Sequence, residues 1–288
     1  MRQRNHRLVI GLLTCILAGC ASAQTNAPEG ASPSQSNPAP VAPAGPGPQT
    51  PAPQAKNPLP ADASVEQILD ALHERGQNLR SFSADVTLAE TVAAAGATTT
   101  RSGKAYYQVR PGGDARMRVS FTMLTTENGE NRPRRLEYVL DGQNLIERNY
   151  DTKTQITRQV LKPGEKINLL KLGEGPFPLP IGQERTDVLK QFAVQKAQPK
   201  NDDPPDSLHI ILTPVPETPF AKQFQTIDVW VDRNTHWPKK ISTTDPNQTT
   251  ERTTELKQVE VNPELTDKDF DLGPLPDGWN RQDEQFQQ

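Results

Sequence analysis

From Phe82 onward the apolar residues of this chain recur at every second position, in one run after another, separated by turn-forming residues. Phe82, Ala84, Val86 and Leu88 alternate with Ser83, Asp85 and Thr87, and Met117, Val119, Phe121 and Met123 alternate with Arg118, Ser120 and Thr122. A period of two sends successive side chains to opposite faces of a strand, so each run has one apolar and one polar face. That is the requirement of an antiparallel sheet covered on one side. Further strands are expected over 103–110, 135–140, 144–150, 155–161, 193–198, 208–213, 227–232, 239–244 and 250–261. Asp141-Gly142 is a hairpin signal, and Asp151-Thr152-Lys153-Thr154 turns the chain again. Such short connections read as an antiparallel meander.

Helical signals are few. Ser64-Val65-Glu66-Gln67 has the form of a capping box, and Val65, Ile68, Leu69 and Leu72 follow at helical spacing. This predicts an amphipathic helix running to about Asn78, with Gly76 weakening its last turn. Short helical turns are expected over 165–172 and 187–192, and Thr218-Pro219 forms an N-cap and N1 pair. The fold class is therefore α+β, mainly β.

The N-terminus has its own logic. Arg2, Arg4 and Arg7 precede an apolar run from Leu8 to Leu17 that suits an export signal but is too short to span a bilayer. Leu17-Ala18-Gly19-Cys20 resembles a bacterial lipobox. The resemblance implies that residues 1–19 are a lipoprotein signal peptide and that Cys20 is acylated as the mature N-terminus. The protein would then be anchored through that residue to a membrane, on the periplasmic side of the cell envelope. Ala21-Ser22-Ala23 before Gln24 fits an ordinary cleavage site as well, and would release a soluble periplasmic protein. Residues 20–62 then form a Pro/Ala-rich tether. Between Ala21 and Pro60 only Glu29 and Lys56 are charged, so the stretch has too little apolar surface to fold alone. At full polyproline II extension it would reach about 120 Å. One domain is expected over 63–280, followed by a polar tail at 281–288.

Composition excludes several classes. Both cysteines, Cys15 and Cys20, lie in the signal region, which leaves no thiol in the folded part for a disulfide or a zinc site. The net charge is −3 with both signs interspersed, giving no footprint for nucleic acid. His73, His209 and His236 are isolated along the chain, so no metal site is expected. No nucleophile elbow, glycine-rich phosphate loop or Ser/His/Asp set stands out. No catalytic residue, no cofactor and no enzyme activity are expected. The acids at Asp202-Asp203 and at Asp267 and Asp269 read as solvated surface, and Arg132-Pro133-Arg134-Arg135 as a polar hairpin tip.

Phe177-Pro178-Leu179-Pro180-Ile181 cannot hide in regular secondary structure and must pack under something or cap an opening.

The order of elements resembles the LolA/LolB lipoprotein-carrier family: a helix, a meander of long strands, a Pro-rich insertion with short helices, then strands again. Local likeness is carried by Leu69-Asp70-Ala71-Leu72 through Leu79-Arg80-Ser81-Phe82-Ser83-Ala84, and by Ile227-Asp228-Val229-Trp230-Val231-Asp232 followed by Trp237-Pro238-Lys239-Lys240-Ile241. Glu260-Val261-Asn262-Pro263 through Asp269-Phe270-Asp271-Leu272 is similar to the family's closing segment. The resemblance implies a curved antiparallel sheet forming an unclosed half-barrel, with short helices covering the concave side and an apolar cavity for the acyl chains of lipids or lipoproteins. On the alternation, Val86, Leu88, Met117, Val119, Phe121, Leu136, Tyr138 and Val229 would line it, and Phe177, Leu179 and Ile181 would form a lid. The chain would then be a carrier or acceptor in envelope sorting. The other reading is an envelope stress-sensing or protein-interaction module with the same fold, an envelope protein partner and no lipid transfer.

Overall fold

The computed structural model describes residues 57–162, 169–170 and 181–285. Helix α1, Val65–Gln77, opens on the expected capping box. The Gln67 amide donates to Ser64 Oγ at 3.3 Å and the Ser64 amide to Gln67 Oε1 at 2.8 Å. One stripe of the helix, Ile68, Leu69, Ala71 and Leu72, is buried.

The strands that follow are β1 (Ser81–Val92), β2 (Ala97–Val109), β3 (Ala115–Thr125), β4 (Asn131–Asp141), β5 (Asn144–Asn149) and β6 (Thr154–Gln159). After the short helix α2 (Arg185–Leu189) come β7 (Phe192–Lys196), β8 (Ser207–Pro214), β9 (Thr226–Asp232), β10 (Pro238–Thr244), β11 (Thr250–Val261) and β12 (Asn280–Glu284). All twelve belong to one sheet, in the order β12-β6-β5-β4-β3-β2-β1-β11-β10-β9-β8-β7. Its edges, β12 and β7, do not pair among the described residues, so the sheet is an unclosed half-barrel. Long strands of opposite sense joined by tight turns are what the period-two runs dictate. The pairing of β1 with β11 joins the two ends of the domain and makes one sheet of both halves.

Several elements depart from their expected bounds. Strand β2 begins at Ala97, well before the apolar alternation, because the Thr-rich stretch 98–100 pairs with β1 without needing an apolar face. Thr91 Oγ1 and Thr98 Oγ1 lie 2.8 Å apart across that pair. Helix α2 stops at Leu189, because Phe192 opens β7 and is fully buried there. The polar C-terminal stretch supplies β12, which pairs in parallel with β6 through Asn280–Glu284. The basic cluster Arg132–Arg135 lies within β4 rather than at a tip, and its guanidiniums pair with Glu130, Asp151 and Glu137. The helical turn expected over 165–172 lies outside the described residues except at Leu169 and Leu170, which are buried.

Candidate functional site

Directly paired residues of an antiparallel ladder share a face, so the register tells which side chains meet. On β1 to β4, Val86 stands opposite Gly103, Ala105 opposite Val119, Tyr107 opposite Met117, Phe121 opposite Leu136 and Val119 opposite Tyr138. Across the other half, Val86 is opposite Leu256, Leu88 opposite Thr254, Thr254 opposite Ile241, and Ile241 opposite Val229. All eight residues expected to line an apolar site therefore lie on one continuous face. Seven are buried and Leu136 is partly buried against the same cluster. Phe82 stacks on Tyr107 with ring centroids 5.4 Å apart and meets Trp237 edge-on, also at 5.4 Å.

Several short pieces of chain cover this face, among them Leu59, Leu169, Leu170, Phe220 and Phe224. Helix α1 lies over it, and Ile181, 1% exposed, belongs to the same cluster. The Gly182 amide donates to the Leu72 carbonyl at 3.1 Å, and Gly182 adopts a positive φ of 74°. Gly76, read from sequence as a weak point, serves a close approach: a Cβ there would stand 2.3 Å from Gly182 Cα. Arg185 of α2 pairs with Asp70 of α1 at 2.8 Å, a second tie between helix and segment. Of the expected lid, Ile181 is thus held under the helix, whereas Phe177 and Leu179 lie outside the described residues.

Polar groups on this side are poorly satisfied. Arg75 Nε and Nη2, His236 Nε2 and Trp237 Nε1 are buried without a hydrogen-bond partner among the described residues. Burial lowers the pKa of both Arg75 and His236. The Arg75 guanidinium stands 5.8 Å from the Trp237 ring. Burial also pushes the Tyr107 hydroxyl up to about 12. Neutral forms are favoured wherever water is excluded.

The outer face is mostly polar, and its central charges are paired. Glu137, with no exposed surface, accepts from Arg118 Nε at 3.0 Å, Ser120 Oγ at 3.0 Å and Arg135 Nε at 2.9 Å. A C-terminal strap crosses this face. Arg116 donates to Asp267 at 2.8 Å, Arg118 to the Asp269 carbonyl at 3.1 Å, and Arg148 to the Leu272 and Gly273 carbonyls at 2.6 and 3.1 Å. Phe270 is buried beneath the strap with the Arg116 guanidinium 4.0 Å from its ring centroid. The alternation shows these arginines on the polar face, but their partners are more than a hundred residues away in sequence, beyond the reach of local patterning.

A second opening is also absent from the sequence reading. The β10–β11 ladder runs from Thr244 opposite Glu251 to Lys240 opposite Glu255 and stops, while β11 continues to Val261 against β1. Pro238 cannot donate to a ladder, and the β9–β10 register shifts between Pro238 and Lys240. The strands splay, leaving a slot of about 640 Å³. Trp237, Leu256 and Val259 form its apolar floor, and Asp202, Lys239, Lys240 and Lys257 stand at its rim.

Among the described residues no group of His, Cys, Asp and Glu is placed to hold a metal ion, and no helix is long and apolar enough to cross a membrane.

No family model matches the chain, and no curated protein sequence matches it. Several solved structures are similar to it. One is a LolA superfamily protein from Nitrosomonas europaea, at 14% identity and a TM-score of 0.30 over 73% of this chain and 98% of that one. Another is LprF from Mycobacterium bovis, at 12% identity and a TM-score of 0.37 over 75% and 97%. A third is MucB of Pseudomonas aeruginosa in its complex with MucA, at 14% identity and a TM-score of 0.39 over 73% and 62%. No residue role is carried over from them.

Proposed function

We propose that this chain is a non-enzymatic binding protein of the bacterial envelope that holds acyl chains of lipids or lipoproteins on the covered face of its sheet, tethered to a membrane through acylated Cys20. The observation that carries the reading is the mismatch between that face and its cover. The apolar face runs from Leu145 on β5 to Phe192 on β7, and at about 4.8 Å per strand it is far broader than a helix of 13 residues, about 20 Å long, can cover. The remainder is covered by separate short pieces of chain, among them Leu59, Leu169, Leu170, Ile181, Phe220 and Phe224, all in the same buried cluster. A closure made of separate short pieces opens when any of them moves, and an acyl chain entering gains about 0.8 kcal/mol per buried methylene. Val86, Leu88, Met117, Val119, Phe121, Leu136, Tyr138 and Val229 are the proposed contacts, and the stretch Phe177 to Ile181 is the proposed lid. Burial of hydrocarbon needs no catalytic group.

The test is mass spectrometry of an organic extract of the purified full chain carrying Cys20→Ser, which removes the candidate acyl acceptor. Phospholipid or acylated peptide at near-stoichiometric amount supports the reading. An extract no richer than that of a control protein refutes it and leaves the interaction-module reading, for which the exposed edge strand β12 is the favouring observation.

A further inference from the structure

We infer that the slot between β10 and β11 is a second binding site, opening beside the covered face whose core residues form its floor, for a single-chain amphiphile with a zwitterionic head. Its size is that of a small-molecule site, about 640 Å³, and its composition is amphiphilic. The floor is apolar and fixed: Trp237 is 2% exposed, Leu256 3% and Val259 8%. The rim carries both signs of charge, and most of its charged groups already have an ion-pair or hydrogen-bond partner. Asp232 pairs with Lys239 at 2.5 Å and Lys257 with Glu255 at 2.9 Å. Asp203 accepts from the Trp230 indole at 2.6 Å and from the Lys200 amide at 2.8 Å.

Two rim charges are left over. The Lys240 ammonium sits 4.4 Å over the Trp230 ring with no carboxylate in ion-pair range, and the exposed Asp202 has no cationic partner among the described residues. An anionic head alone would face four carboxylates, Asp202, Asp203, Asp232 and Glu255, and a cationic head alone three lysines. A head carrying both a phosphate and an ammonium answers Lys240 and Asp202 together while its chain lies in the slot that Trp237, Leu256 and Val259 line. An added peptide strand fits less well. Leu256–Val261 lacks a β10 partner, but Gln258 takes a left-handed conformation, with φ 49°, which breaks the edge such a strand would need.

The experiment is calorimetric titration of the full chain carrying Cys20→Ser with dodecylphosphocholine below its micelle-forming concentration. Dodecyl maltoside, dodecanoate and dodecyltrimethylammonium serve as same-chain comparisons. The zwitterion should bind most tightly. Lys240→Glu and Asp202→Lys should each weaken it about five- to tenfold, the scale of losing and reversing one exposed charge contact. Lys240→Glu should also improve binding of dodecyltrimethylammonium, whereas Lys153→Glu in the distant β5–β6 turn should change nothing. Lys240, Asp202 and Lys153 are at exposed or rim positions, and circular dichroism checks that each variant is folded. Equal affinity for the maltoside and the phosphocholine overturns the proposal, as does binding unaltered in both rim variants. An extract free of lipid would defeat the covered-face reading and leave the slot untouched, so the two failures are distinguishable.

Discussion

Replacing Gly76 by alanine sets two known effects against each other. Alanine is about 1 kcal/mol better than glycine inside a helix, so on α1 alone the substitution stabilises. In the folded chain the new Cβ would stand 2.3 Å from Gly182 Cα, 2.4 Å from Gly182 N and 3.0 Å from Ile181 Cγ2. The first two are backbone atoms, which cannot rotate away, so helix and segment must separate. Overpacking of this kind costs roughly 1–3 kcal/mol and sometimes more. Separation also strains the 3.1 Å bond from the Gly182 amide to the Leu72 carbonyl, worth about 1 kcal/mol. The clash and the bond together outweigh propensity, for a net loss of about 1–3 kcal/mol. In a domain of this size that lowers Tm by roughly 2–10 °C. Thermal unfolding followed by circular dichroism measures it, with Glu74→Ala, exposed on the same helix, as a control expected within about 0.5 kcal/mol of the parent. A Gly76→Ala variant melting at or above the parent temperature would refute the close approach of helix and segment.

Three further outcomes follow from buried polar groups. Glu137→Gln removes the carboxylate that Arg118 and Arg135 share, leaving Arg118 half-buried without its charge partner; a loss of roughly 3–5 kcal/mol in urea unfolding is expected, and one below about 1 would show the cluster to be inert. Tyr107, pushed up to about 12, stays protonated in the fold after the unfolded chain ionises near 10, so stability falls as pH rises from 10 towards 12, by an amount on the order of 2–3 kcal/mol. Tyr107→Phe should flatten that part of the profile, and an unchanged slope would count against the assignment. His236, whose pKa burial lowers, has the opposite pH window: its imidazole is neutral in both states above about 6.5, and stability declines as pH falls below that value because the unfolded chain binds the proton first. His236→Asn keeps a residue tolerant of the observed φ of 57° and should remove this decline, which pH-dependent chemical denaturation reads directly.

Much of the architecture follows from local chemistry. The Ser64 capping box needs only its own four residues, and the phase of the alternation places Val86, Met117, Val119 and Val229 on one face because a strand's period leaves no third choice. What local chemistry omits is set by distant partners. Thr98–Thr100 carry no apolar signal, yet they are strand because β1 lies alongside. Gly76 reads as a helix breaker until Gly182 is placed against it. The strap exists because Arg116, Arg118 and Arg148 reach carbonyl and carboxylate oxygens far along the chain. The slot opens where the β10–β11 ladder stops at Lys240 while β11 continues, a fact about two strands rather than one.

The most direct test of acyl-chain binding on the covered face is crosslinking with a photoactivatable fatty acid, followed by peptide mapping of the modified residues. Labelling concentrated at Val86–Leu88, Met117–Phe121, Leu136–Tyr138 and Val229, and competed away by unlabelled fatty acid, is the predicted result. Labelling absent from these positions, or confined to the outer face, would contradict it.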